Sequence, residues 1–141
     1  MKSILIDTDI ILDFFFDREP FSENAAEIFS LCESKTIKGY ITPVIISNTY
    51  YLLRKIASHD KVLEKLNQLL LITNVLIMDR EVVINAINSK FKDFEDALQN
   101  YSAIKHGKIE AIITRNIKDY KNSDIGIFTP ETYLKLEKAC R

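Results

Sequence analysis

Short aliphatic runs alternate with longer amphipathic segments along nearly the whole chain, and this alternation limits the folds that the chain can adopt. Strand-like runs occupy residues 3–6, 38–41, 75–77, 111–113 and 125–128. The segments between them carry apolar residues at helical spacing. Because strands that alternate with helices build a parallel sheet covered on both faces, we predict an α/β fold with a central parallel sheet of four to five strands flanked by helices.

The expected helices have recognisable ends. They occupy residues 10–16, 21–32, 43–56, 59–71, 80–88 and 94–106, with a last helix at the C-terminus. Thr42-Pro43 and Thr129-Pro130 each place a capping residue before a proline at the first helical position. Asp93 is expected to cap the helix at 94–106, and Gly107 to end it.

The helix at 94–106 is predicted to have two distinct faces. Its apolar stripe should comprise Phe94, Ala97, Leu98, Tyr101 and Ile104. A different face should carry Asp93, Asp96 and Asn100, which follow one another at helical spacing. The same reasoning on the helix at 43–56 assigns Ile45, Leu52, Leu53 and Ile56 to the core.

Length and composition are those of an ordinary globular protein. The 141 residues suffice for one domain with a full core, so we expect residues 1–141 to form a single domain. Cys32 and Cys140 lack metal-ligand spacing, which favours reduced thiols. The N-terminus has no signal-peptide pattern, and the apolar run at 69–72 is too short to cross a bilayer. We therefore expect a cytoplasmic protein with no membrane contact.

Charge gives no global argument for a nucleic-acid partner. The formal net charge is −1, whereas nucleic-acid binders usually show a basic field. Locally, basic residues accompany the late acidic residues of the chain: Lys105, His106, Lys108, Arg115, Lys118 and Lys121. A solvated surface and a phosphate-binding surface both fit this local pattern.

Three aspartates fall where a parallel sheet would gather them. Asp7 ends the first strand-like run, Asp119 follows the run at 111–113, and Asp96 lies in the first turn of a late helix. Sites in open α/β sheets form outside the carboxyl ends of the strands. Carboxylates brought together there repel one another, and a hard cation such as Mg²⁺ relieves that repulsion.

Each aspartate also has a purely structural explanation. Asp7 could cap the following helix, although Asp9 could cap it equally well and leave Asp7 free. Acidic residues such as Asp93 and Asp96 are stabilised by the helix dipole in any first turn. In the segment at 114–119, Asn116 and Asp119 offer oxygen ligands, but the segment could also be a polar turn.

Taken in order, these segments resemble the motifs of PIN-domain nucleases. ILIDTD at residues 4–9 resembles their opening strand and Asp-Thr-Asn signature, and DFEDAL at 93–98 resembles their third-acid motif. ITRNIKDY at 113–120 resembles their Thr-Arg-Asn-x-x-Asp-Phe motif, and TPE at 129–131 matches a common start of their last helix. The resemblance implies a PIN-like three-layer fold and a Mg²⁺- or Mn²⁺-dependent ribonuclease, as in VapC-type toxins of toxin–antitoxin pairs.

The resemblance also implies roles for individual residues. Asp7, Asp96 and Asp119 would be catalytic and would bind the metal together with Asn48, Asp93 and Asn116. RNA would contact Thr114, Arg115, Lys118 and Lys55. A homodimer is expected, as is an antitoxin protein as a possible partner.

One position departs from the family pattern. The family carries its second acid, a Glu, early on the helix after the second strand, whereas residues 43–51 contain no acid and Asn48 occupies that position. Asn keeps an oxygen ligand but loses a charge. A catalytically weak or inactive PIN-fold module that binds RNA or protein is therefore an alternative. Asp9, where the family commonly has Asn, would partly restore the charge if it points inward.

A different enzyme class shares the first motif. Asp7-Thr8-Asp9 after a strand also resembles the nucleophile motif of haloacid-dehalogenase-type phosphatases, in which the first Asp attacks phosphorus. That family has a small Gly/Thr-rich extension after the second Asp, whereas this chain continues with Ile10-Ile11-Leu12. The late metal motif of those phosphatases is also missing, which makes this the remote alternative.

Overall fold

A computed structural model describes residues 2–140, and its centre is a sheet of five parallel strands. The strands are β1 (Lys2–Ile6), β2 (Ile37–Ile41), β3 (Thr73–Val75), β4 (Ile109–Ile113) and β5 (Gly126–Phe128). Their order across the sheet is β3-β2-β1-β4-β5. The predicted α/β fold with a parallel sheet of four to five strands is confirmed.

Helices flank this sheet. They are α1 (Thr8–Phe15), α2 (Ser22–Glu33), α3 (Pro43–Leu53), α4 (His59–Ile72), α5 (Arg80–Ile87), α6 (Phe94–His106) and α7 (Pro130–Ala139), with a 3₁₀ helix at Ile117–Tyr120. Within residues 2–140, none of the helices has the length and apolar character needed to cross a membrane.

The register between β1 and β4 creates the edge where the predicted acidic residues meet. Ile6 pairs with Ile113, and both side chains are fully buried. The backbone N–H of Asp7 donates to the carbonyl of Ile113 at 3.0 Å. Asp7 and Thr114 therefore leave the sheet side by side, each at the carboxyl end of its strand.

The helix ends follow the sequence signals closely. Thr42 and Thr129 accept hydrogen bonds from the backbone N–H groups of Ile45 and Thr132, and a proline follows each threonine. The Asp93 carboxylate caps α6 by accepting from Asp96 N, at 3.0 Å. Gly107 ends that helix with φ 85°, a left-handed conformation that favours glycine. These boundary predictions are confirmed.

The start of the first helix corrects one expectation. α1 begins at Thr8, and its N-cap is Asp7, whose Oδ1 accepts from Thr8 N at 2.8 Å. Of the two aspartates that could cap this helix, Asp7 is the cap, and the expected helix start after Asp9 is two residues too late. Because the cap uses Oδ1, the second carboxylate oxygen of Asp7 still faces the end of the sheet.

The predicted stripe of α6 is wrong in part. Phe94 and Ile104 are 50% and 42% exposed, whereas the polar side chain of Asn100 is buried. Asn100 accepts a hydrogen bond from Ser123, which satisfies a polar group that the core would otherwise exclude. The prediction that Ile56 belongs to the core face of α3 is also wrong. The helix ends at Leu53, and Ile56 lies beyond it with 71% of its side chain exposed.

An ion pair ties α1 to the segment after β4. Asp13 is fully buried on α1 and accepts from Arg115 Nε at 2.7 Å and from Arg115 Nη2 at 2.9 Å. The guanidinium carbon of Arg115 also lies 4.0 Å from the ring centroid of Phe21. The loop that leaves β4 is thereby fixed against the first helix.

Replacing Asp13 with Asn should weaken this connection. Asp13→Asn removes the charge and one acceptor while keeping the shape, so the free energy of unfolding should fall by about 2–3 kcal/mol in urea denaturation. Asp17→Asn is the control, because Asp17 lies in the turn that follows α1 and is exposed to solvent. Equal stability of both variants would mean that the Asp13–Arg115 pair does not hold the loop.

Candidate metal centre

A cavity of about 490 Å³ opens at the carboxyl edge of the sheet. Six of the predicted site residues line it together: Asp7, Asn48, Asp93, Asp96, Asn116 and Asp119. They come from the end of β1, from α3, from the start of α6 and from the segment after β4. Asp9 and Glu95 add two further carboxylates to the wall.

Asp7 lies deepest among these carboxylates. Its Oδ2 accepts from Thr114 Oγ1 at 3.0 Å and from Tyr120 Oη at 3.2 Å. Burial raises the pKa of Asp7, although the hydrogen bonds from Thr8, Thr114 and Tyr120 act in the opposite direction. The charged form of Asp7 is therefore held by donors but poorly solvated, which is the setting in which a cation binds favourably.

Tyr120 is a site residue that the sequence did not reveal. Its side chain is only 1% exposed, and its hydroxyl interacts with Asp96 as well as with Asp7. Burial and the two carboxylates raise the pKa of Tyr120 far above its usual range, so the phenol remains a donor. The sequence did carry one signal for this role: Tyr120 stands where the motif that residues 113–120 resemble carries Phe.

Asp96 and Asp9 show how strongly the carboxylates interact. Burial, with repulsion from Asp7 and Asp93, raises the pKa of Asp96 to about 7. Burial and repulsion from Asp7 raise the pKa of Asp9 to about 6. Asp9 Oδ2 accepts from the backbone N–H of Arg115, while Asp9 Oδ1 is buried with no hydrogen-bond partner in the described part of the chain.

Asn48 faces Glu95 across the cavity. Asn48 Nδ2 donates to Glu95 Oε2 at 2.9 Å, which joins α3 to the first turn of α6. The sequence indicated Asn48 as a site residue but not Glu95. The available signal was the run Asp93, Glu95, Asp96, which has more acidic residues than one helix cap requires.

The predicted RNA-binding residues do not line one common cavity, unlike the predicted metal-site residues. Lys118 lines a neighbouring cavity of about 390 Å³ together with Lys92 and Lys121, and this cavity shares Asp93 and Asp119 with the first. The other three candidates lie outside the walls of both cavities. Thr114 is buried, Arg115 pairs with Asp13, and Lys55 lies in the turn after α3.

The local basic cluster suggested by the sequence is also divided in the structure. Lys105 pairs with Asp79 and Glu81, and the His106 ring lies against Tyr40. Neither residue lines either of the two cavities.

The donor set fits a hard divalent cation. The side chains around Asp7 and Asp96 offer oxygen, their charges repel one another, and Asp9 Oδ1 is buried without a partner among the described residues. Among residues 2–140, however, no three His, Cys, Asp or Glu side chains already stand close enough to hold an ion by themselves. Because Mg²⁺ keeps several of its waters and needs only one or two direct carboxylates, this arrangement still fits it.

Known proteins share this architecture. A family model described as the PIN domain matches residues 3–118. VapBC2 from Rickettsia felis, solved bound to a promoter DNA fragment, is 16% identical with a TM-score of 0.66, covering 89% of this chain and 96% of that one. FitAcB from Neisseria gonorrhoeae is 17% identical with a TM-score of 0.63, covering 91% and 98%.

A third similar structure is VapC20 from Mycobacterium tuberculosis, a toxin that cleaves the sarcin–ricin loop. It is 17% identical with a TM-score of 0.60, covering 77% of this chain and 86% of that one. At such identities the likeness shows the fold alone. No curated protein sequence matches the chain significantly.

The raised pKa values predict how stability depends on pH when metal is absent. The pKa of Asp96 is about 7 in the folded state and about 3.8 in the unfolded state. Between these two pH values the folded protein therefore binds more protons than the unfolded chain does. Stability should therefore fall as pH rises from about 4 to about 7, and Asp9 should add to the fall up to about pH 6.

Melting in EDTA across this range checks the expectation. Wild type should lose melting temperature as pH rises, and Asp96→Asn should show a shallower decline because the amide does not titrate. A wild-type melting temperature that rises steadily from pH 5 to pH 8 would contradict the raised pKa values.

Proposed function

Because the chain belongs to the PIN-domain family, we propose that it is a Mg²⁺- or Mn²⁺-dependent endoribonuclease. The observation that carries this proposal is the convergence of Asp7 and Asp96 on one buried phenol, Tyr120. A fold does not require two carboxylates to be forced together in this way. Buried carboxylates that raise one another's pKa are characteristic of functional sites, and a site for a divalent cation and a phosphodiester makes use of them.

Asp7, Asp96 and Asp119 would hold the cation, with Asp93, Asn116 and Asn48 at the margin of the same cavity. When bound, the cation makes water more acidic and offsets charge that develops on the phosphate. Thr114 and Tyr120 hold the Asp7 carboxylate in place by donating to its Oδ2. Asp93 and Asp119 line both the acidic cavity and the neighbouring cavity that contains the lysines. A phosphate bound at the cation would therefore lie next to those lysines.

Lys92, Lys118 and Lys121 would bind the RNA backbone beside the acidic cavity. Phosphate contacts position a nucleic acid without reading its sequence. Arg115 is less suited to this role than the sequence suggested, because its guanidinium already makes two hydrogen bonds to Asp13. The RNA strand would therefore enter or leave the site along the lysine side.

We also propose that the protein acts in the cytoplasm as the toxin of a toxin–antitoxin pair, and as a homodimer. The likeness to VapBC2 supports an antitoxin partner, and the likeness to the toxin VapC20 supports the toxin role. Exposed apolar side chains such as Ile56 and Leu71 offer surface for protein contacts.

An inactive module that binds RNA is the second candidate, and Asn48 favours it because one family carboxylate is missing from α3. The phosphatase alternative has no such support, because the family match is to the PIN domain. The inactive module would bind RNA, with or without Mn²⁺, and would leave it uncut.

Purified protein should cleave single-stranded RNA in the presence of Mn²⁺ or Mg²⁺, and EDTA should stop the reaction. Asp7→Asn and Asp96→Asn should each lower the rate by on the order of a hundredfold or more, since each removes charge at the reacting centre. Asp60→Asn is a matched control, because Asp60 also lies in the first turn of a helix, α4, but outside the cavity.

Gel assays on labelled RNA would measure these rates. Cleavage that persists unchanged in both cavity variants would contradict the proposed active site. RNA binding without cleavage in wild type would favour the inactive module.

The lysine cavity predicts a specific salt dependence of RNA binding. The test uses the Asp96→Asn background, which should bind RNA without cutting it. In that background, Lys118→Gln and Lys121→Gln should each make the slope of log affinity against log salt less steep. The expected change is roughly 0.7 for each phosphate that the lysine neutralises. Lys135→Gln is the control, because Lys135 pairs with Glu131 on α7. Fluorescence anisotropy gives the slopes, and identical slopes in all variants would exclude these lysines from the RNA path.

A further inference from the structure

The contact between Asn48 and Glu95 bears on the missing family carboxylate. Glu95 lines the same cavity as Asp7, Asp96 and Asp119, and its Oε2 lies 2.9 Å from Asn48 Nδ2. The two residues come from α3 and α6, which are far apart in the chain. Their hydrogen bond therefore brings a charge from α6 to the position on α3 where the charge is missing.

The orientation of the Asn48 amide follows from the chemistry of its partner. An ionised carboxylate only accepts hydrogen bonds, so the amide must present its NH₂ group to Glu95. The amide carbonyl oxygen of Asn48 is then left for other contacts. A Glu at position 48 would instead face the Glu95 carboxylate directly and be repelled by it. Without a cation, Asn48 and Glu95 therefore attract each other, whereas two glutamates at these positions would repel each other.

Capping does not explain Glu95. The cap of α6 is made by Asp93, which accepts from Asp96 N. The Glu95 carboxylate instead accepts from Asn48, on another helix. Its side chain is exposed to solvent and lines the same cavity as Asp7 and Asp96.

We propose that Glu95, held by Asn48, supplies the fourth carboxylate of the metal centre from α6 in place of a glutamate on α3. This inference rests on the proposed function. Glu95 acts as a positioning residue for the hydrated cation, and Asn48 fixes its carboxylate at the cavity. The charge has moved to another helix rather than disappeared from the site.

Mn²⁺ titration of the intact protein by calorimetry tests this without relying on activity. Glu95→Gln should weaken Mn²⁺ binding by on the order of ten- to a hundredfold, as loss of outer-shell partners does at other metal sites. Glu64→Gln, an exposed glutamate on α4 outside this cavity, is the control and should bind as wild type.

A charge exchange makes the test sharper. In the Glu95→Gln background, Asn48→Glu should recover most of the Mn²⁺ affinity of wild type, because the carboxylate and the amide have changed places. In the wild-type background, Asn48→Glu should lower the metal-free melting temperature, because it places two carboxylates together. The effects of the two substitutions should thus be strongly non-additive.

The outcomes separate this inference from the proposed function. No Mn²⁺ binding by wild type would overturn the proposed function, and the inference with it. Mn²⁺ binding by wild type that is unchanged in Glu95→Gln would overturn the inference alone. Weakened binding in Glu95→Gln with no recovery in the double variant would also overturn it, because the two positions would then not exchange roles.

Discussion

The structure depends on the carboxylate of Asp7 more than on any other polar group. One of its oxygens caps α1, and the other accepts from Thr114 at the end of β4 and from Tyr120 in the 3₁₀ helix. A single side chain thus joins the central strand, the first helix and the segment that completes the site. Because this carboxylate is buried, the donors that satisfy it and the charges that surround it decide what the cavity can bind.

Repulsion between carboxylates gives the cavity its chemistry. Asp96 and Asp9 titrate near neutral pH because burial and neighbouring charges disfavour ionisation. A fold gains nothing from this arrangement when the cavity holds only water. A divalent cation turns the repulsion into attraction, so the same residues that weaken the metal-free protein would strengthen the metal-bound one.

The sequence predicted the parts of the structure that local patterns determine. Strand runs, the two Thr-Pro helix starts, Asp93 and Gly107 each act within a few residues, so they can be recognised without the fold. The contact between Asn48 and Glu95 joins residues distant in the chain, and so does the clamp of Arg115 on Asp13. The sequence indicated Arg115 as an RNA contact because it could not show that a buried aspartate had already engaged it. The buried face of α6 was misjudged because Asn100 is satisfied by Ser123, a partner from another segment.

Anomalous diffraction from crystals soaked in Mn²⁺ tests the central claim most directly. We predict one strong peak in the cavity, within coordination distance of Asp7 or Asp96, and the disappearance of that peak in crystals of Asp96→Asn. The claim that these carboxylates form a metal centre would be contradicted by well-ordered crystals without a peak in this cavity, or by a peak bound elsewhere that the substitution leaves unchanged.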